Sequence, residues 1–475
     1  MEDVSGPLAV VIGGSVGGLF TASALRAAGW RVKVFEQSPH DLDSRGGGIV
    51  LQPPIVRAFA FGGVPVPRDA GVDSVDRIYV DEHDRIVQRL HMPQTQTAWN
   101  VIYTALKRAL PTGVVHAGES FEWLEQDGNR VIARFASGRV EQADLLVGAD
   151  GGRSSVRAQL LPDARPAYAG YVAWRGLVDE RELSEPVLRV LRERFTFQQG
   201  NAHLFLTYLV PGRDGSVEPG ERRVNWVWYR RLAPDRLPAL FLGSVYIRNA
   251  HALPRERPLA RRATPRILDV FARSTTWRAA VLVATPNLKF IPGECSKSPV
   301  WRRRSSLVWR GQTALLAPCP TSDFGHSHVR SVCKQTLAQD GTQRDGSLPP
   351  GAMRDDNRLE LVDAGRRMLA PTLAALVDAT RAPFAQAIQD LAVDRIVFGR
   401  AVLLGDAACL VRPHTAAGVA KAAENAVDLA EALQDVARGT AFDVALSRWE
   451  ARQLAANASL SELGISLGTR IMGAA

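Results

Sequence analysis

Two periodicities alternate along the chain. Residues 8–12 (LAVVI) are apolar throughout, as a strand covered on both faces requires. GGSVGG follows at 13–18. LFTASALRAAG then repeats apolar residues at helical spacing and closes on Gly29, a good C-cap position. RVKVFE at 31–36 alternates like a strand and ends in Glu36. This pattern predicts one strand–helix–strand unit. DLLVGADGGRSSVR at 144–157 predicts a second strand running into a glycine turn and a helix start. From 168 to 230, YVAWRGLV, FTFQQG, HLFLTYLVPG and RRVNWVWYRR read as aromatic-rich strands joined by turns, and so as an antiparallel sheet. Residues 354–394 read as helix-rich, 396–411 as a returning strand, and 416–437 and 442–468 as long amphipathic helices.

One stretch keeps neither period. Between 242 and 337 there are 16 Lys and Arg against 4 Asp and Glu, whereas the rest of the chain holds 42 basic and 45 acidic residues. The net charge of +9 is therefore local, which argues against nucleic acid or a membrane surface as the partner of the main body. The stretch also carries Cys295, Cys319 and Cys333. We read 242–336 as an anomalous basic insertion, poorly ordered and foreign to the fold. Elsewhere, 46 % hydrophobic and 23 % charged residues are the proportions of a globular protein. No apolar run is long enough to span a bilayer. The acidic N-terminus does not read as a signal peptide. The four cysteines, with Cys409 the last, are too scattered for a disulfide framework, and a reducing cytoplasmic setting is expected. None has metal-site spacing.

The chemistry begins at the glycine turn. Gly13 permits a tight turn off the strand, a small residue at Ser15 lets backbone N–H groups approach a pyrophosphate, and Gly18 lets the helix pack on the sheet. The phosphates then sit at the helix N-terminus, where free N–H groups and the dipole favour anions. Glu36 is placed to accept from an adenosine ribose, with Gln37 beside it. Alone, this turn leaves NAD and FAD both open.

Further blocks narrow the choice. VIGGSVGGL, GGGIVLQP at 46–53, GADGGRSSVR at 148–157, YAGYVAWRG at 168–176 and GRAVLLGDAACLVRPHTAAGVAKAAENAVDLAEAL at 399–433 resemble the flavin-dependent aromatic hydroxylases of the para-hydroxybenzoate hydroxylase class. The resemblance implies an α/β fold: a Rossmann-like FAD-binding domain, a mixed or antiparallel-sheet substrate domain, and C-terminal helices. It divides the chain into a first FAD-binding part (1–165), a substrate sheet (166–241), the insertion (242–336), more substrate domain (337–394) and a flavin-contacting part with the last helices (395–475). It implies FAD as cofactor, NAD(P)H as co-substrate bound without its own Rossmann domain, and O2 as oxygen donor. The substrate would be an electron-rich aromatic or N-heteroaromatic ring of the dihydroxypyridine kind. A homodimer is the assembly it suggests.

By the same resemblance Asp406, after Gly405 at a strand's carboxyl end, accepts from the flavin ribityl hydroxyls; a helix N-cap is the alternative. Asp150 lies near the pyrophosphate or forms a local Asx turn. Pro413 and Gly418 lie beside the isoalloxazine ring, with the helix after Gly418 aimed at its negative edge, and Gly48 is a further cofactor-binding position. His414, inside that block, is the candidate catalytic residue, because a phenolic ring reacts faster as its anion and a histidine titrates in the right range. Trp174, Tyr208, Trp226 and Trp228 pack in the sheet or touch substrate. Ala98 and Asn100 stand where the class usually has Ser and Asp, and Cys409 where a bulky ring-facing apolar residue is common. A different flavoenzyme, such as a halogenase or reductase, and a non-enzymatic FAD-binding protein remain the alternatives.

Overall fold

The computed structural model describes residues 6–42, 47–241, 347–348 and 353–473. The expected insertion at 242–336 lies outside the described residues, and so does Gly46. Within them, the apolar run Leu8–Ile12 is a strand buried at every position. It lies at the centre of a six-stranded sheet, between Leu145–Gly148 and Arg31–Glu36, with parallel pairing on both sides. Ala401–Leu403 adds beyond Leu145–Gly148, again in parallel. Three of these strands, from positions almost 400 residues apart, therefore end at one sheet edge. Helix Val16–Ala27 and the 20-residue helix Gly418–Ala437 pack on this sheet in one apolar core.

The larger sheet is mixed. In order it contains Ser347–Leu348, Phe384–Ala392, Ala167–Asp179, Arg223–Arg231, His203–Val210, Arg194–Gly200, Val72–Val80, Ile86–Ala98 and Gly48–Val50. All neighbours pair antiparallel except Arg194–Gly200 with Val72–Val80. Three of its strands come from residues 48–98, a region grouped above with the first FAD-binding part. A third, three-stranded sheet covers 121–143. The helix-rich reading of 354–394 holds for Asp355–Met368 and Pro371–Ala379, but FAQAIQDLA at 384–392 is a strand. Its β-branched content is too low to show that from sequence.

Period-two alternation gives the large sheet two different faces. Trp174, Trp226 and Trp228 enter one core, shared with Leu361, Leu373 and Leu376 of the helices over that side. Trp226 Nε1 donates to Thr380 Oγ1 at 2.8 Å and Trp228 Nε1 to His203 Nδ1 at 3.2 Å. The other face carries Tyr171, Ala173, Tyr208, Val227 and Tyr229, and packs against Ala416 and Ile471. The tryptophans are thus structural; the tyrosines face the segment that contains His414. The C-terminal helix Phe442–Met472 closes this side.

Candidate FAD and ring site

At the end of the first strand, Gly13 turns with φ +108°. A Cβ there would meet Ala149 O at 2.5 Å, and one on Gly18 would meet Gly13 O at 1.8 Å. No other residue fits either place. Ser15 is the N-cap, but its side chain makes no capping bond. The N–H groups of the first helical turn have no intrahelical acceptor. Glu36 folds back over the turn: one carboxylate oxygen accepts from Gly14 N at 2.7 Å and the other from Ser38 N at 2.9 Å. Gln37 is exposed.

Asp150 stands beside this turn, since a Cβ on Gly13 would also lie 2.9 Å from Asp150 Cα. Its Oδ2 accepts from Ser155 N at 2.7 Å and Val156 N at 3.2 Å, while Oδ1 is buried without a partner among the described residues. The Asx-type bonding and an oxygen free for a ligand are both present. Burial pushes the carboxyl up, against the hydrogen bonds that pull it down.

Helix Gly418–Ala437 joins the distant pieces. Cβ atoms built on Gly17 and on Gly405 each touch Ala422, at 3.6 and 3.5 Å. In the segment between, Asp406 is half-exposed and pairs with Lys421 Nζ at 3.2 Å. Lys421 is 3 % exposed and also donates to Cys409 O. On the other side, buried Arg157 donates to Ala407 O at 3.0 Å. Two buried cations therefore hold the 405–409 segment. Neither was singled out above, though a lone lysine in an Ala- and Val-rich helix face is a visible signal. Cys409 is fully buried and its Sγ lies 3.9 Å from Asn457 O of the last helix, so it packs inward. Burial pushes its thiol up.

Residues 413–415 form one helical turn, after which Ala416 takes φ +52°. Gln52 Nε2 donates to Ala416 O at 2.8 Å, tying the segment after Gly48 to this turn. Gly48 itself touches the sheet: a Cβ there would meet Tyr208 Cε2 at 2.3 Å, and Gly48 N donates to Asn225 Oδ1 at 2.9 Å. Pro413 is half-buried, and the space in front of Gly418 is open. Arg412 grips Asp390 with two nitrogens, at 2.8 and 2.6 Å, and so fixes the turn on the large sheet. Asn100 lies away from this turn; its side-chain oxygen accepts from Arg223 Nη2 at 3.2 Å.

His414 is buried. Its Nε2 is 2.8 Å from Tyr171 Oη, its ring lies 4.5 Å from that of Tyr229, and its Nδ1 has no partner among the described residues. Burial, helped by the Arg412 charge, lowers its pKa to about 3. Desolvation of the imidazolium is the larger of the two causes.

Residues 8–187 and 372–462 match the FAD binding domain family. The chain belongs to that family. This flavoprotein also matches an FAD binding domain-like family over 168–254. It is 28 % identical over 445 residues to 2,6-dihydroxypyridine 3-monooxygenase of Paenarthrobacter nicotinovorans, covering 94 % of this chain and 86 % of that protein. It is 28 % identical over 194 residues to 6-hydroxynicotinate 3-monooxygenase of Pseudomonas fluorescens, covering 38 % of this chain and 50 % of the other. The solved 2,6-dihydroxypyridine-3-hydroxylase from Arthrobacter nicotinovorans superposes with a TM-score of 0.72 at 25 % identity, over 99 % of this chain and 94 % of that one.

The site fits the cofactor. The glycine turn presents helix N-terminal N–H groups without a Cβ in the way, Asp150 beside it has a carboxylate oxygen unpartnered among the described residues, and open space lies before the 418–437 helix. FAD is the cofactor. Among the described residues no helix is long and apolar enough to cross a membrane.

Proposed function

We propose that this flavoprotein is a monooxygenase that hydroxylates an electron-rich aromatic or N-heteroaromatic ring of the dihydroxypyridine kind, with NAD(P)H and O2 as co-substrates. The observation that carries this reading is the extent of the likeness to 2,6-dihydroxypyridine 3-monooxygenase. It runs through 94 % of the chain, well beyond the cofactor turn that other flavoenzymes share. One oxygen atom enters the ring and the other leaves as water, with two electrons from NAD(P)H. FAD supplies the transfer of those electrons to O2.

The chain's own residues bind, orient and shield. Gly13, Ser15 and Gly18 hold the pyrophosphate against the first helix. Glu36, with Gln37 next to it, takes the adenosine ribose. Asp150 and Asp406, the latter after Gly405, take the remaining polar edge of the cofactor, and Lys421 offsets the charge of Asp406. Gly48, Pro413 and Gly418 line the flavin ring, and the 418–437 helix dipole favours negative charge there. His414 stays neutral and orients Tyr171 through the 2.8 Å contact, rather than titrating as a base. The tyrosine face of the large sheet excludes water from the ring.

The division of the chain at 165, 241, 336 and 394 belongs to this reading. So does a homodimer in the cytoplasm, a compartment in keeping with a buried free thiol at Cys409.

The direct test is to purify the protein, record its visible spectrum and follow NAD(P)H oxidation with a panel of dihydroxypyridines and phenols. A yellow protein whose NAD(P)H oxidation is stimulated by such a ring is expected. A yellow protein that no ring stimulates favours a flavin-binding protein without this activity; a colourless one removes the cofactor assignment.

A further inference from the structure

The tyrosine face of the large sheet carries one charge that has no counter-charge among the described residues. Arg175 lies on strand Ala167–Asp179, on the same face as Tyr171 and opposite in direction to Trp174. It is half-buried. Its Nε is shielded from solvent without an acceptor, and no ion pair or hydrogen bond engages its guanidinium among the described residues. Other cations near the site are held otherwise. Arg412 is paired with Asp390, Lys421 with Asp406, and Arg157 with three backbone carbonyls.

Among the described residues, the surroundings of Arg175 are aromatic and polar. A Cβ on Gly47 would lie 3.4 Å from Arg175 Nη1 and 3.0 Å from Asn225 Oδ1. Burial pushes the hydroxyls of Tyr208 and Tyr229 up, and the Arg175 charge pulls both the other way. Asn225 is 1 % exposed, with its Nδ2 unpartnered. A half-buried guanidinium whose Nε lacks an acceptor, beside two phenols and a carboxamide, is a favourable partner for an anion. Tyrosine walls meanwhile suit a flat ring.

We infer that Arg175 anchors the aromatic substrate as an oxyanion, with Asn225 beside it, and so selects rings with an ionisable hydroxyl. The inference rests on the hydroxylase reading and names its substrate's charge. A guanidinium is suited to the task because it stays charged and directs several N–H donors at one oxygen or an adjacent pair. The cofactor is a competing anion. In the arrangement proposed above, the N-terminus of helix 418–437 serves the negative edge of the flavin, whereas the described neighbours of Arg175 are Gly47, Asn225, Tyr208 and Tyr229.

The test uses the FAD-loaded full chain with 2,6-dihydroxypyridine and, as a probe that cannot ionise, 2,6-dimethoxypyridine. Binding is read from the perturbation of the flavin spectrum, and FAD affinity from flavin fluorescence. Arg175→Gln should weaken 2,6-dihydroxypyridine roughly 10- to 100-fold, leave the dimethoxy ring within about threefold, and leave FAD affinity unchanged. Arg175→Lys keeps the charge in a similar volume and should recover part of the preference. Equal weakening of both rings, or loss of FAD with the ring preference intact, overturns the inference. An unfolded Arg175→Gln shifts the decision to Arg175→Lys against wild type: an unchanged preference between the rings overturns the inference, and a reduced one supports it. Wild-type flavoprotein that binds neither ring overturns the hydroxylase reading, and the inference with it.

Discussion

His414 and Lys421 show how burial decides what a side chain does. The imidazole ionises near 6.5 when solvated and at about 3 in the fold. Above the higher value neither state is protonated and the group has no effect on stability. Between the two, the unfolded chain takes up a proton that the folded one refuses, so stability falls as pH drops from about 6.5 toward 3. Urea unfolding at pH 7.5, 6 and 4.5 should show this slope, and His414→Gln should reduce it; parallel slopes would show that the imidazole is not desolvated. Lys421 is buried too, but its ammonium has Asp406 and the Cys409 carbonyl as acceptors. Lys421→Met should weaken FAD roughly tenfold by fluorescence titration, because Asp406 loses its fixed partner beside an anionic cofactor. At this scale the sequence displayed the glycine turn, Glu36 and the 405–418 block. It concealed Lys421, Arg157 and Arg175, because a buried charge is written with the same letter as a solvated one.

Elements bring these residues together. The Gly13–Gly18 turn works because strand and helix approach within the space of a missing Cβ, so Gly18→Ala, which would place a methyl 1.8 Å from Gly13 O, should lower the melting temperature and release FAD. Retention of bound FAD by that variant would mean the turn is not the phosphate site. Ala416 is held in the left-handed region at the end of the 413–415 turn. Ala416→Gly should therefore stabilise the protein by up to about 1 kcal/mol in denaturant unfolding. The helices around this turn were legible from periodicity. The strand Phe384–Ala392 was not, because its register is imposed by Ala167–Asp179 and not by its own propensity. The division of the large sheet was half-legible: NWVWY alternates in plain view, but which face meets the 413–416 turn and the last helix does not show in the alternation.

The whole molecule joins segments from both ends of the chain in one six-stranded sheet and packs the tyrosine face of a mixed sheet against the 413–416 turn and the last helix. The basic stretch at 242–336 interrupts a sequence that otherwise reads continuously. If it is an insertion foreign to the fold, a chain joined from 241 to 337 should still bind FAD, as judged by its visible spectrum. A colourless deletion variant would make the stretch part of the fold. The central claim concerns oxygen, and isotope labelling addresses it most directly. Incubation with NAD(P)H, 2,6-dihydroxypyridine and 18O-labelled O2 should give a product carrying one 18O atom per ring, formed with ring-dependent consumption of NAD(P)H. NAD(P)H consumption indifferent to the ring, with no label in any product, would contradict the account.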